Sequence, residues 1–142
     1  MLGKTYDEIH VGDSAELSKT FSESDIYLYA GISGDFNPAH VNETYARNTF
    51  FKTRIAHGML SASLISAVIG TQLPGPGTIY MQQTLSFLVP VHMGDTITAR
   101  VEVVEKIDSK KVQLKTVCLN QDAVIVLEGE AMVSPPRRSS KE

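Results

Sequence analysis

The sequence predicts an α+β fold, in which one long buried helix packs against an antiparallel sheet. Two observations carry this prediction. Residues 57–73 form a segment that is apolar on every side, and from residue 79 onward apolar and polar residues alternate. Helices that precede a run of consecutive strands are typical of the α+β class. The 142 residues suit one domain, which we expect over 1–134, with a flexible tail over 135–142.

The N-terminal part predicts a strand at 14–21 and a helix at about 23–32. Ser22 and Asp25 have the spacing of a capping box, and Gly34 is suited to end the helix. Pro38 is expected to prevent a quick restart of helical structure. A second, short helix is predicted over 43–48, with Asn42 as its N-terminal cap.

The segment "HGMLSASLISAVIGTQL", residues 57–73, is the predicted central helix. Its apolar side chains leave no wholly polar face, which indicates burial on all sides. A histidine, three serines and a threonine interrupt the apolar run, so a membrane span is not predicted. The turn "PGPG" at 74–77 ends the helix.

The C-terminal half predicts a meander of antiparallel strands. Within 79–91 one face is apolar and the other is mainly polar, and the same alternation recurs over 97–103. Two further strands are predicted at 111–120 and 123–133. Because the intervening turns at 94–95, 108–111 and 120–122 are short, consecutive strands are expected to pair with each other.

Composition excludes several classes of function. The net charge of −3 provides no basic surface for nucleic acid or an anionic membrane. The only cysteine, Cys118, fits a reducing, cytoplasmic compartment. The four histidines show no metal-ligand spacing, and no phosphate-binding or nucleophile-elbow motif occurs. We therefore expect neither a metal nor another cofactor.

The stretch "SGDFNPAH", residues 33–40, is the first candidate for chemistry. Asp35, Asn37 and Pro38 are ordinary turn formers, and most such turns are only turns. However, Asp35 follows a helix C-terminus, where the helix dipole disfavours a carboxylate. His40 comes five residues later across a stiff turn, so that its imidazole can face the carboxylate. The Asn37 amide could then orient a water between them, which predicts an acid–base pair.

The stretch "HGM", residues 57–59, is the second candidate. Unpaired N–H groups at a helix start, together with a glycine that permits close approach, could hold an oxyanion at the Gly58 N–H. His57 and Met59 flank this position as candidate substrate-binding residues. Ser66 lies roughly 12 Å further along the helix, and Ile69 shares its face, so both are predicted to line the substrate pocket.

The stretches "YAGISGDFNPAHVNETYA", "RIAHGMLSASLISAVIG" and "LPGPGTIYMQQTLSFLVPVHMGDTITARVEV" together resemble the MaoC-type or hydratase 2 family. The resemblance covers roughly residues 10–134 and is strongest to short bacterial (R)-specific enoyl-CoA hydratases that feed polyhydroxyalkanoate synthesis. Asn42 stands where the family often has Asp or Glu, but this is a helix-cap position.

The resemblance implies a hot-dog fold, in which an antiparallel sheet wraps the long helix, working as a homodimer. It also implies addition of water to a trans-2-enoyl-CoA, giving the (R)-3-hydroxyacyl-CoA, in fatty acid metabolism. Asp35 and His40 carry over as the catalytic pair, Asn37 as their helper and Gly58 as the thioester oxyanion donor.

Three alternatives remain open at this point. A hot-dog thioesterase could use a carboxylate to activate water against the carbonyl carbon. A dehydratase could act on an acyl-carrier protein instead of acyl-CoA. A non-catalytic acyl-CoA-binding dimer would bind without turnover, and it would give Asp35 and His40 no reason to face each other.

Overall fold

The computed structural model describes residues 1–138 and contains one long helix, three shorter α-helices and six strands. A 3-10 turn at Tyr6–Glu8 precedes them. The elements in chain order are β1 (Ser14–Thr20), α1 (Glu23–Ser33), α2 (Pro38–Val41), α3 (Glu43–Arg47), α4 (Gly58–Thr71), β2 (Ile79–Gln83), β3 (Ser86–Phe87), β4 (Thr96–Ile107), β5 (Lys111–Leu119) and β6 (Ile125–Ser134).

The strands form one antiparallel sheet in the order β1-β4-β5-β6-β2, with β3 also paired to β6. Helix α4 packs against β1, β4 and β5. The inward residues of β4 are all at most 1% exposed, as their alternation predicts: Ile97, Ala99, Val101 and Val103. The predicted α+β class, with a central helix on an antiparallel sheet, is confirmed.

The caps of the N-terminal helices agree closely with the sequence. Ser22 and Asp25 form the predicted capping box of α1. Gly34 ends this helix at a φ of 79°, a left-handed conformation that glycine adopts without steric cost. Asn42 caps α3 by accepting a hydrogen bond from the Tyr45 N–H. These local signals therefore fix where the chain turns between α1 and α3.

Two predictions about this chain path are wrong. Pro38 does not delay helical structure but occupies the first turn of α2, where a missing N–H costs nothing. The turn at 94–95 does not join a hairpin, because β2 and β3 pair with β6, whereas β4 pairs with β1. Sequence neighbours were expected to pair, but β5 and β6 separate β4 from β2 in the sheet.

The predicted strand at 79–91 is also interrupted. It divides into β2 and β3, with a register irregularity between Tyr80 and Gln82, and it ends before Pro90. Its apolar side chains stay largely exposed; Ile79 is 63% and Phe87 54% exposed. Residues 1–138 therefore leave most of the apolar face of this edge uncovered.

The C-terminal boundary and the length of the helices complete the fold. Pro135 and Pro136 are buried, so the packed chain continues two residues past 134; residues 139–142 of the predicted tail lie outside the described residues. None of the helices within 1–138 combines the length and the apolar character needed to cross a membrane.

Candidate active site

The turn between α1 and α2 presents Asp35 and His40 from one continuous stretch. The Asp35 N–H donates to Ser33 Oγ at 3.1 Å, and the Asn37 N–H donates to Asp35 Oδ1 at 3.2 Å. Asn37 Oδ1 accepts the Ala39 N–H at 3.0 Å, so Asn37 caps the helix that carries His40. The Asn37 amide was predicted to orient a water, and its oxygen is used instead to cap the helix that carries the imidazole.

The imidazole of His40 is held by the backbone on one side. Its Nδ1 lies 2.7 Å from the Ile55 carbonyl oxygen, and the side chain is nearly buried. Since a carbonyl only accepts hydrogen bonds, Nδ1 carries the proton of this bond. Nε2 is therefore the one nitrogen of His40 that can exchange a proton with a bound molecule.

Arg54 anchors the segment that supplies this carbonyl. Its guanidinium pairs with Glu23 at 2.8 Å and with Glu43 at 3.2 Å, and it also donates to the Tyr27 hydroxyl. These contacts tie the residue preceding Ile55 to α1 and α3. The Thr53 hydroxyl and the Arg54 backbone N–H also donate to the Glu43 carboxylate. These hydrogen bonds hold the pKa of the Glu43 carboxyl below its usual range.

His57 contacts both Asp35 and His40. Its ring stacks on His40 with a centroid separation of 3.9 Å and an interplanar angle of 27°. It also makes a T-shaped contact with the Tyr29 ring, with a centroid separation of 4.8 Å. Its Nε2 lies 3.0 Å from the Asp35 carbonyl oxygen, and only 2% of the residue is exposed. Burial is the main cause that lowers the pKa of His57. The hydrogen bond to the Asp35 backbone raises this pKa by less, and the neighbouring His40 lowers it further.

Gly58 begins α4 immediately after His57. As a first-turn residue, it has an N–H that finds no acceptor inside the helix. A Cβ at this position would lie only 2.7 Å from ring carbons of Phe87. The glycine therefore permits close approach of Phe87, and Gly58 lines the cavity described next.

A cavity of about 550 Å³ joins these residues. Asp35, His40, His57 and Gly58 form its polar end. Met59 and Ser61 of α4 also line it. The remaining wall is apolar and comes from three separate segments: Phe51, Ile55, Ala56, Phe87, Leu88, Val89, Pro90, Val91, Val126 and Leu127. A mainly apolar cavity with a few convergent polar groups is typical of a small-molecule site.

The predicted site residues divide between this cavity and other places. Asp35, His40, His57, Gly58 and Met59 line it together. Asn37 supports it from α2, as described above. Ser66 is exposed on α4 and Ile69 is 1% exposed in the core, and neither lines the cavity.

Ser61 and Phe87 are cavity residues that sequence reasoning missed. Ser61 is 1% exposed, and its Oγ is a buried hydroxyl without a hydrogen-bond partner within the described chain. Its position three residues after Gly58 was a usable signal, because residues three apart share a helix face. Phe87 gave no such signal, since the pairing of β3 with β6 brings it to Gly58 from far along the chain.

The histidine cluster and the cysteine differ in the chemistry they can support. Asp35, His40 and His57 each offer a ligand atom within 4.8 Å of the others. Because the two rings are stacked, their in-plane lone pairs run side by side rather than converging, which favours a hydrogen-bonded group over a closed metal site. Burial raises the pKa of the Cys118 thiol to about 12, so it is a poor nucleophile.

Comparison with known proteins gives consistent similarities. Residues 8–124 match the family model described as MaoC like domain. An (R)-specific enoyl-CoA hydratase of Rhodospirillum rubrum is 58% identical over 134 residues, covering 94% of this chain and 92% of the relative. An (R)-specific enoyl-CoA hydratase of Aeromonas caviae is 43% identical over 90% of this chain and 96% of its own.

Solved structures agree with these sequence relatives. The R-hydratase PhaJ1 from Pseudomonas aeruginosa, in its unliganded form, superposes with a TM-score of 0.91 at 47% identity, covering 96% of this chain and 88% of that one. The resemblance predicted from the three motif stretches is thereby confirmed, and with it the fold.

Proposed function

The chain belongs to the family of MaoC-like domains, and on that premise we propose that it is an (R)-specific enoyl-CoA hydratase. It would add water reversibly to a trans-2-enoyl-CoA and form the (R)-3-hydroxyacyl-CoA. The observation that carries the proposal is that Asp35, His40 and Gly58 line one mainly apolar cavity together. The names of the related hydratases from Rhodospirillum rubrum and Aeromonas caviae support the same reaction.

In this reaction the acyl chain occupies the apolar part of the cavity and the thioester lies at the start of α4. A thioester conjugated to the C2=C3 bond makes C3 electrophilic. As water adds, charge develops on the thioester oxygen, where the Gly58 N–H can stabilise it. The first-turn N–H groups also carry the positive end of the helix dipole.

The pair Asp35 and His40 transfers the protons. A water held between the Asp35 carboxyl group and His40 Nε2 loses one proton to the pair while its oxygen bonds to C3. The pair delivers one proton to C2, so that it ends the cycle in its starting state. His40 contributes only through Nε2, because the Ile55 carbonyl holds Nδ1–H.

No redox group or metal is needed in this scheme, because the thioester already activates the double bond. We therefore propose that the enzyme works without a cofactor, CoA being part of its substrate. The free, buried Cys118 is in keeping with a reducing compartment, and we propose the cytoplasm as the location.

We further propose that the protein is a homodimer that pairs along the exposed edge at β2. This strand ends the sheet, and its Ile79, Tyr80 and Met81 are between 38% and 63% exposed. An edge strand with exposed apolar side chains favours pairing with another chain. Light scattering should give twice the chain mass, and Met81→Lys should shift it towards the monomer; a monomeric wild type would contradict this proposal.

The experiment that tests the function is the reaction of the purified chain with crotonyl-CoA, followed by the loss of enoyl absorbance. A parallel assay with a thiol reagent measures free CoA. Loss of absorbance without CoA release supports the hydratase, whereas CoA release would indicate a thioesterase. Binding of crotonyl-CoA without either change would indicate the non-catalytic alternative, and faster turnover of crotonyl–acyl-carrier protein would reassign the carrier.

A further inference from the structure

We propose that His57 is a positioning residue, which fixes the geometry of both members of the acid–base pair without itself transferring a proton. This inference rests on the proposed hydratase function. It concerns a residue that the sequence indicated only as a substrate contact, because it precedes Gly58. Its contacts in the fold assign it a different role.

His57 contacts each member of the pair in a different way. Its Nε2 lies 3.0 Å from the Asp35 carbonyl oxygen, which fixes the backbone that carries the carboxyl group. Its ring stacks on His40 at 3.9 Å, which fixes the plane in which His40 Nε2 can exchange protons. The Ile55 carbonyl holds that ring only at its edge, through Nδ1. The stack and the hydrogen bond together leave the His40 imidazole one orientation.

The protonation state of His57 follows from the same contacts. The Asp35 carbonyl can only accept, so His57 Nε2 carries the proton. Burial lowers the pKa of His57, which keeps the ring neutral near pH 7. The groups that face it are Asp35, His40 and the Tyr29 ring edge. A neutral ring can pack against His40 while His40 carries a proton, whereas a charged ring would repel it.

Two simpler roles fit these contacts less well. His57 precedes α4 as its N-terminal residue, but its side chain makes no capping hydrogen bond. As a substrate ligand it has little to offer, because Nε2 is occupied by the Asp35 carbonyl oxygen and Nδ1 is buried, without a hydrogen-bond partner among residues 1–138. The residue therefore acts on the groups around it and not on the substrate directly.

Two variants separate its two contacts. His57→Phe keeps a flat ring for the stack but removes the N–H donor, and His57→Gln keeps a donor but removes the stack. Because misplacing a catalytic group by about 1 Å costs on the order of 100-fold in rate, each variant should lower kcat for crotonyl-CoA about 10- to 100-fold. KM should stay within about threefold in each, since no substrate contact is lost. His10→Gln, on the exposed N-terminal segment, is the matched control and should equal the wild type.

The pH profile distinguishes positioning from general structural support. In the wild type, protonation of His57 places a charge beside His40 at acidic pH. On the acid side, the slope of log kcat/KM against pH should therefore be one unit greater in the wild type than in His57→Phe. Thermal melting of each variant shows whether it is folded.

The outcomes are separable from those of the proposed function. A wild type that does not hydrate crotonyl-CoA refutes the function itself. An active wild type, with folded variants whose kcat stays within about threefold, overturns only the role of His57. A loss confined to KM would make His57 a substrate ligand, and unfolding of both variants would make it a structural residue; either result overturns the proposal.

Discussion

The two ends of the cavity are built on different principles. At the polar end, Asp35, His40 and His57 are fixed by hydrogen bonds to backbone groups at 2.7–3.2 Å and by ring stacking. At the apolar end, Phe87 and Val89 line the wall with side chains that have no hydrogen-bonding groups, and these residues are 54% and 38% exposed. We therefore expect the polar end to determine the reaction, and the apolar end to determine which acyl chain is accepted.

The largest loss of activity is expected when the side chain of Asp35 or His40 is removed from the polar end. Asp35→Ala and His40→Ala should each lower kcat by about 10²- to 10⁴-fold, the usual contribution of general acid–base catalysis. Steady-state hydration of crotonyl-CoA measures the loss, and circular dichroism should show an intact fold. Near-normal turnover by both variants would refute the assignment of the polar end.

A smaller but sharper effect is expected at the start of α4. In Gly58→Ala the new methyl group meets the Phe87 ring at 2.7 Å and crowds the N–H that faces the thioester. We expect kcat/KM for crotonyl-CoA to fall about 10- to 100-fold. This decrease is no larger than the one that follows complete removal of an oxyanion donor, because the N–H is crowded but still present.

Gly70→Ala is the matched control on the same helix. Gly70 is exposed, and a Cβ there meets no atom within 4 Å. This substitution should leave kcat/KM unchanged and raise the free energy of unfolding by about 0.5–1 kcal/mol, because alanine is the better helix former. An equal loss of activity in both variants would show that α4 responds to any substitution and that Gly58 is not special.

The apolar end should respond to bulk in its choice of substrate. Val89→Phe narrows the cavity and should lower kcat/KM for octenoyl-CoA about tenfold relative to crotonyl-CoA, with little change for crotonyl-CoA itself. Ser66→Leu alters an exposed position of α4 outside the cavity and should leave the chain-length profile unchanged. A shift towards shorter chains in Ser66→Leu would show instead that the acyl chain extends along α4.

The smallest effect concerns stability at the polar end. Because burial lowers the pKa of His57 in the folded protein, the unfolded chain binds a proton that the folded chain does not. The free energy of unfolding should therefore decrease as the pH falls below 6.5, the ordinary value for histidine, by at most about 1.4 kcal/mol per pH unit. His57→Phe should lack this dependence in chemical denaturation at pH 5–7, above the range in which Glu43 and Asp25 contribute. A variant with the wild-type slope would assign the dependence to another group.

The polar end was predictable because its signals are local. Asp35, Asn37 and His40 lie within six residues, directly after the glycine cap and on both sides of a proline. Gly58 was predictable for the same reason, as the start of an apolar helix. The roles of Asn37 and His57 were not, because they depend on which backbone groups the fold brings near them.

The apolar end could not be predicted from periodicity. Its wall combines residues 51–56, 87–91 and 126–127, and their meeting depends on strand pairing across the sheet. Alternation in 79–91 predicted one continuous strand with a buried face, but β2 and β3 pair with β6 and leave that face open. Alternation identifies a face without saying what covers it, so the same pattern is buried in β4 and exposed at this edge.

The central claim is tested most directly by the stereochemistry of the product formed from crotonyl-CoA. After incubation with the purified chain, the 3-hydroxybutyryl product is released from CoA and resolved by chiral chromatography. If Asp35 and His40 hold water on one side of a substrate fixed by Gly58, the product is the (R) enantiomer alone. A racemic or (S) product, or no hydrated product at all, would contradict it.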